Sequence, residues 1–177
     1  MNRQETALTP GSSGIAPNAI DALRTVLLGD VILPNEAGYE TARHVWNAMI
    51  DRRPSVIARC RGAADAIDAV RFARDQGLPV SIRAGGHNVA GHAVCDGGMM
   101  IDLSLMRSVR VNPERRRAWV ERGATWRDVD RQTTAFGLAT PGGLVSATGV
   151  AGLTLSGGFG WLLSFVRPSR PDGPFHR

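Results

Sequence analysis

Between Thr140 and Leu162 the chain reads TPGGLVSATGVAGLTLSGGFGWL, with glycine at 142, 143, 149, 152, 157, 158 and 160. That density rules out one long helix, because each glycine in a helix interior costs about 1 kcal/mol relative to alanine. Glycine lacks a side chain and reaches positive φ freely, so such a stretch serves to bring backbone close to something. A second cluster, RAGGHNVAGH at 83–92, follows the apolar run Leu78–Ile82 and packs three glycines and two histidines into ten residues.

The surrounding pattern is that of alternating short elements. Ser55–Ala58 predicts a strand and Ala64–Gln76 a helix, with Ile67, Val70 and Ala73 on one stripe and Gly77 as its stop. Pro79–Arg83 is a second strand, and strand, helix, strand in this order predicts parallel pairing with a right-handed crossover. Met99–Leu103 is a third strand. Ser108–Val111 and Ala118–Glu121 form a hairpin about the Asn-Pro-Glu turn and Arg115–Arg117. Thr125 with Asp128 three residues on has the form of a capping box, opening a helix over Trp126–Phe136 that Gly137 ends. Before these, residues 1 to about 16 read as a flexible leader, Ala19–Leu28 as a short helix, Asp30–Pro34 as extended, and Arg43–Ile50 as a short apolar segment.

At 177 residues, with 43% apolar and 21% charged residues, the chain has the composition of one ordinary globular domain. The net charge of +5 comes from a chain whose basic residues are all arginine, the mark of a GC-rich coding sequence, and Arg115–Arg117 reads as a solvated hairpin tip. No recognition helix or interleaved aromatics accompany it, so a nucleic-acid partner is not expected. No run approaches the roughly 20 apolar residues that cross a bilayer, and no secretory signal opens the chain. A cytoplasmic location with Cys60 and Cys95 reduced is therefore expected, Cys60 as a small buried residue.

Two glycine-dense segments, each beside a strand, fit a ligand with phosphates, since successive backbone N–H groups exposed by glycine converge on an anion. Tight turns alone would explain one Gly-Gly pair. A Rossmann fingerprint needs G-x-G-x-x-G between strand and helix, and GGHNVAG has other spacing with a strand after it. A P-loop needs lysine, and there is none. His87, His92, Cys60 and Cys95 match no zinc spacing, and no G-x-S-x-G elbow is present.

RAGGHNVAG at 83–91, IDLS at 101–104, GATWRDVD at 123–130 and GVAGLTLSGGFGWL at 149–162 together resemble the FAD-binding half of the berberine bridge enzyme-like oxidases, in the vanillyl-alcohol oxidase/PCMH-type flavoprotein superfamily. Trp46-Asn47, Ser55-Val56-Ile57 and Asp65–Phe72 fit the same pattern, so the resemblance covers about residues 39 to 162. It implies an α+β fold, a PCMH-type FAD-binding domain of two small α/β lobes, the second incomplete, with FAD extended between them. It also implies FAD contacts at Arg83, Ala84, Gly85, Gly86, His87, Asn88, Gly91, Thr148, Gly149, Val150, Gly152, Leu153, Gly157, Gly158 and Gly160. The histidine of the G-G-H motif, joined in that family to the flavin 8α carbon, maps onto His87. His92 has no role in that pattern.

Family members continue with a segment like Arg-x-x-Gly-Leu-x-x-Asp. Here Leu162 is followed by LSFVRPSRPDGPFHR, with three prolines and three arginines in 15 residues and no periodicity. The expected organisation is therefore a leader with short elements over 1–33, an FAD-binding domain over 34–162 and an aberrant tail over 163–177, the last read as a frameshift or premature end. The substrate domain is absent from that organisation. The full-length form would be an FAD-dependent oxidoreductase acting on an alcohol, sugar or related small molecule, with a catalytically inactive fragment or flavin-binding module as the alternative.

Overall fold

The computed structural model describes residues 14–162. The chain divides into two compact units, the first comprising residues up to Arg83 together with Asn88–Leu103, the second Ala84–His87 together with the chain from Ser104 onward. The chain thus passes from one to the other at 83/84, 87/88 and 103/104. The expected leader up to residue 13 and the tail from 163 lie outside the described residues.

The first unit is built on a four-stranded sheet, β1 (Asp30–Ile32), β2 (Val56–Arg59), β3 (Val80–Arg83) and β4 (Met99–Asp102), in spatial order β1-β2-β4-β3. β1 runs antiparallel to β2, while β2, β4 and β3 are parallel. The strand, helix, strand reading of 55–83 is right in sense, but β2 and β3 are not neighbours: β4 inserts between them. Every residue of β4 is buried, as a central parallel strand covered on both faces requires, and Met99-Met100-Ile101 supplies the apolar run. β1 belongs to the same sheet, so the chain before residue 34 takes part in it.

Three helices accompany this sheet: α1 (Pro17–Val26), α2 (Tyr39–Arg43) and α3 (Ala63–Asp75). Pro17 stands in the first turn of α1, where its missing N–H costs nothing. Ile32, Tyr39, Ala42, Ile57, Val94 and Met100 form a buried cluster with Val45 and Ile50 against it, and the Tyr39 hydroxyl inside it donates to the Pro54 carbonyl at 2.7 Å.

The stripe expected on α3 is corrected. Ile67 and Val70 are 50% and 51% exposed, and the buried face is Asp65, Ala69 and Ala73. Small alanines let α3 approach β4, and Asp65 is buried because its carboxylate accepts three backbone N–H groups, from Leu28 at 3.0 Å, Gly29 at 3.1 Å and Arg61 at 2.8 Å. It ties the chain entering β1 and the chain leaving β2 to the first turn of α3. Gly29 fits there because a Cβ would stand 1.8 Å from the Arg59 carbonyl oxygen.

The second unit contains the hairpin β5 (Val109–Asn112) and β6 (Arg117–Val120), then α4 (Trp126–Thr134) and α5 (Val150–Ser156). Val109 faces Val120 and Val111 faces Ala118 in antiparallel register. Arg116 closes the turn at φ +49°, and on the strands Arg110 lies over the Trp119 ring at 5.2 Å. The capping box is present: Thr125 donates to Asp128 from both its N–H and its hydroxyl at 2.8 Å. α4 ends at Thr134, two residues short of the expected Phe136, and Gly137, at φ +65°, stands three residues beyond it.

Replacing Asp65 by alanine orphans three donors, each at a cost of about 1–3 kcal/mol if it stays buried. Thermal melts followed by circular dichroism are expected to show a large drop in midpoint for Asp65→Ala and a smaller one for Asp65→Asn, which keeps one acceptor oxygen. Equal melting of Asp65→Ala and wild type would contradict this anchoring.

Candidate functional site

In the second unit the two glycine-dense segments meet. Gly85 and Gly149 pack backbone to backbone: a Cβ built on Gly85 would stand 2.4 Å from the Gly149 nitrogen, and one on Gly149 would stand 2.6 Å from the Gly85 nitrogen. No other residue type fits either position without moving the chain. Gly86 follows, buried at φ +68°, a conformation costing a side-chain-bearing residue about 1–2 kcal/mol. His87 comes next, half-buried.

The Gly149 side of the contact is fixed by α4. The Trp126 N–H donates to the Thr148 carbonyl at 3.0 Å, Arg127 to Ser146 at 2.8 Å and Val150 to Ala124 at 2.9 Å. Gly142 and Gly143 lie on the buried Trp126 indole, where a Cβ on Gly142 would reach 2.5 Å from a ring carbon. Gly160 approaches the Gly142 carbonyl as closely, at 1.5 Å for an added Cβ, and Gly158 packs on Leu153. Gly152, by contrast, faces open space, and Gly157 has φ +81°. Glycine here serves several ends, chain against chain, chain against indole, and left-handed turns.

Among the described residues, the amides of Gly85, Gly86 and Gly149 donate to no protein acceptor, although Gly86 and Gly149 are buried. Buried N–H groups seek an acceptor, and converging glycine amides are a donor set suited to an anionic oxygen. The His87 imidazole has its pKa lowered by burial, so its neutral form extends to lower pH than in a free histidine.

Other predicted positions have visible structural tasks in the first unit. Arg83 donates from Nη1 to the Ala42 carbonyl at 2.8 Å and lies 3.6 Å from Asp102. Gly91, at φ +75°, is buried against Ile50, where a Cβ would be 2.7 Å from a side-chain carbon. Asn88 accepts the His92 N–H at 3.0 Å. Cys60 is buried with its thiol pushed up to about 12 by burial, then by Asp65 and Asp102, and is inert as a nucleophile. Cys95 lies 3.4 Å from the Ser81 hydroxyl. No cluster of three metal-ligating side chains occurs among the described residues.

Asp102 and Asn47 lie in segments that carry the resemblance, but sequence reasoning gave neither them nor Arg52 a role. A signal for the first existed: β2, β3 and β4 are apolar or small until each closes on a charge, Arg59, Arg83 and Asp102. Nothing local distinguishes Asn47 or Arg52, whose partners are about 40 residues away.

The α+β fold with its mixed sheet matches FAD-binding domains of PCMH-type flavoproteins. The FAD binding domain family model matches residues 54–167. The (R)-6-hydroxynicotine oxidase of Paenarthrobacter nicotinovorans is 40% identical over 134 residues, 76% of this chain and 29% of that protein. The crystal structure of 6-hydroxy-D-nicotine oxidase from Arthrobacter nicotinovorans superimposes with a TM-score of 0.75 at 40% identity, over 77% of this chain and 30% of that one. The wild-type berberine bridge enzyme-like 1 of Physcomitrella patens shares the fold, with a TM-score of 0.74 at 24% identity over 80% of this chain and 31% of its own. The chain belongs to the FAD-binding domain family, as a PCMH-type domain of the berberine bridge enzyme-like and 6-hydroxynicotine oxidase flavoproteins. It spans about 30% of the length of these relatives.

Two measurements probe this geometry. Gly85→Ala forces backbone apart at the Gly149 contact, an overpacking cost of about 1–3 kcal/mol, whereas Gly152→Ala enters open space within α5. Chemical denaturation is expected to separate the two variants, and a Gly85→Ala protein as stable as Gly152→Ala would refute the close approach. NMR titration of His87 is expected to give a midpoint below the roughly 6.5 of an unperturbed histidine. Because the folded value is depressed, this group's stabilising contribution is complete above the unfolded pKa and lost as pH falls through the folded one. A midpoint at or above the free value would contradict the burial assigned to His87.

Proposed function

We propose that this chain is the flavin-binding part of an FAD-dependent oxidoreductase and that His87 carries the flavin covalently through its 8α carbon. The observation that supports this best is His87 itself: a half-buried imidazole whose pKa burial lowers, one residue after a glycine in the left-handed region. A neutral imidazole is the nucleophilic form. Attachment would require the His87 ring nitrogen to give up its proton and the flavin methyl a proton and two electrons, for which FAD would be the first acceptor and dioxygen the final oxidant. When bound, FAD supplies hydride acceptance.

The protein's own part is binding and orientation. The Gly85, Gly86 and Gly149 amides would hold the pyrophosphate, with charge nearby stabilised by fixed N–H dipoles. Thr148, Val150, Gly152, Leu153, Gly157, Gly158 and Gly160 would line the rest of the cofactor, and Arg83, Ala84, Asn88 and Gly91 would shape the histidine loop. In a full-length form the protein would oxidise an alcohol, sugar or related small molecule and pass electrons to oxygen.

One observation favours the alternative, a flavin-binding module without turnover. α5 has no buried residue, and Leu155 is 87% exposed, so apolar surface stands uncovered where a closed active site would have packing. Steady oxygen consumption by the 177-residue protein with a sugar or alcohol would exclude that alternative.

Denaturation after loading with FAD tests the anchor. Unfolding destroys a noncovalent site but leaves a carbon–nitrogen bond, so wild type and His92→Ala are expected to keep yellow flavin through denaturation and desalting, and His87→Ala to release all of it. Flavin retained by denatured His87→Ala would make the assignment wrong.

A further inference from the structure

The four-stranded sheet closes on a row of alternating charges. Asp30 of β1, Arg59 of β2, Asp102 of β4 and Arg83 of β3 are register partners across successive strands. Arg59 lies 3.9 Å from Asp30 and 3.5 Å from Asp102, and Arg83 lies 3.6 Å from Asp102. Asp102 is fully buried, and a buried carboxylate is tolerable only with its cationic partners in place. Arg83 is also held by its backbone, since Leu103 donates to its carbonyl at 2.8 Å, and by its Nη1 bond to the Ala42 carbonyl at 2.8 Å. The residue immediately before the span Ala84–His87 is therefore fixed from both main chain and side chain.

A separate strap holds the chain just after that span. Asn47 Nδ2 donates to the Val89 carbonyl at 2.8 Å, while its Oδ1 accepts the Met49 N–H at 3.1 Å, which fixes the way the carboxamide points. Arg52 donates to the carbonyls of Gly91 at 2.9 Å and Val94 at 3.1 Å. The Asn47–Arg52 segment thus ties down Val89–Val94 over a sequence distance of about 40 residues.

We infer that Arg83 and Asn47 are positioning residues that hold the two roots of the span Ala84–His87 and thereby set the His87 imidazole for the attachment proposed above. This rests on the His87 reading. The five residues Ala84–Asn88, between the ties at Arg83 and Val89, have few conformations left, so the imidazole is presented with little ordering cost. Removing Arg83 takes a cationic partner from the buried Asp102 carboxylate, whereas Asn47 lies near the surface and its side chain makes one bond to the loop.

The test compares wild type, Asn47→Asp and His87→Ala as full 177-residue chains incubated with FAD. Asn47→Asp keeps size and the acceptor toward Met49 but sets a carboxylate oxygen against the Val89 carbonyl. Amide hydrogen exchange in peptides covering 84–91 is expected to rise about two- to tenfold, the range set by one net hydrogen bond, with peptides over 99–102 unchanged. The rate of covalent attachment at saturating FAD is expected to fall while the noncovalent Kd stays within twofold, a split that general destabilisation would not give. Unchanged exchange over 84–91, or attachment at the wild-type rate, would overturn the inference. If His87→Ala attaches flavin as wild type does, or wild type attaches none, the His87 reading fails and this inference with it; a slowed Asn47→Asp beside an inactive His87→Ala supports both.

Discussion

The contact of Gly85 with Gly149 is the constraint on which the rest of the second unit's site depends. Two backbones that approach until neither can carry a Cβ fix the histidine span against the turn that opens α5. Among the described residues, the amides of Gly85, Gly86 and Gly149 have no protein acceptor. The same two residues thus set the geometry and supply two of these donors. The Thr125 capping box and the backbone bonds from Trp126 and Val150 hold the far partner of this contact in place. Arg107 strengthens that corner by pairing with Asp128 at 2.7 Å. Burial pushes the Asp128 carboxyl up, but the bonds from Arg107 and Thr125 outweigh it and leave its pKa low. This support is present above the ordinary carboxylate range and is lost as pH falls through the folded value.

Glycine density was a true sign of close approach, but its reasons prove more varied than a phosphate cradle. Gly91 is occupied by Ile50, Gly142 by the Trp126 ring, and Gly160 by the Gly142 carbonyl. A sequence states that a Cβ is unwelcome without stating what stands in its place. Gly85, Gly86 and Gly149 combine a backbone constraint with amides that have no protein acceptor among the described residues.

Most elements were legible because their signals are local. The short, mostly apolar runs of β2, β3 and β4, the turn at Asn-Pro-Glu and the Thr125–Asp128 box each lie within a few residues. The insertion of β4 between β2 and β3 was not legible, since pairing order depends on contacts far apart in the chain. The face of α3 was misread for a different reason. Hydrophobicity points to Ile67 and Val70, whereas burial follows the carboxylate of Asp65, which loop amides need, and the small size of Ala69 and Ala73. The charged row across the sheet was written at the strand ends, and its alternation appeared only once the strands were placed in order.

The most direct measurement is a 15N-resolved NMR titration of the chain with FAD, reading the glycine amides. The expected result is that Gly85, Gly86 and Gly149 shift strongly and together as flavin binds, while Gly77, beyond the end of α3 and outside the proposed site, moves little. Saturable flavin binding that leaves those three amides unmoved would contradict the assignment of this backbone contact as the cofactor's phosphate site.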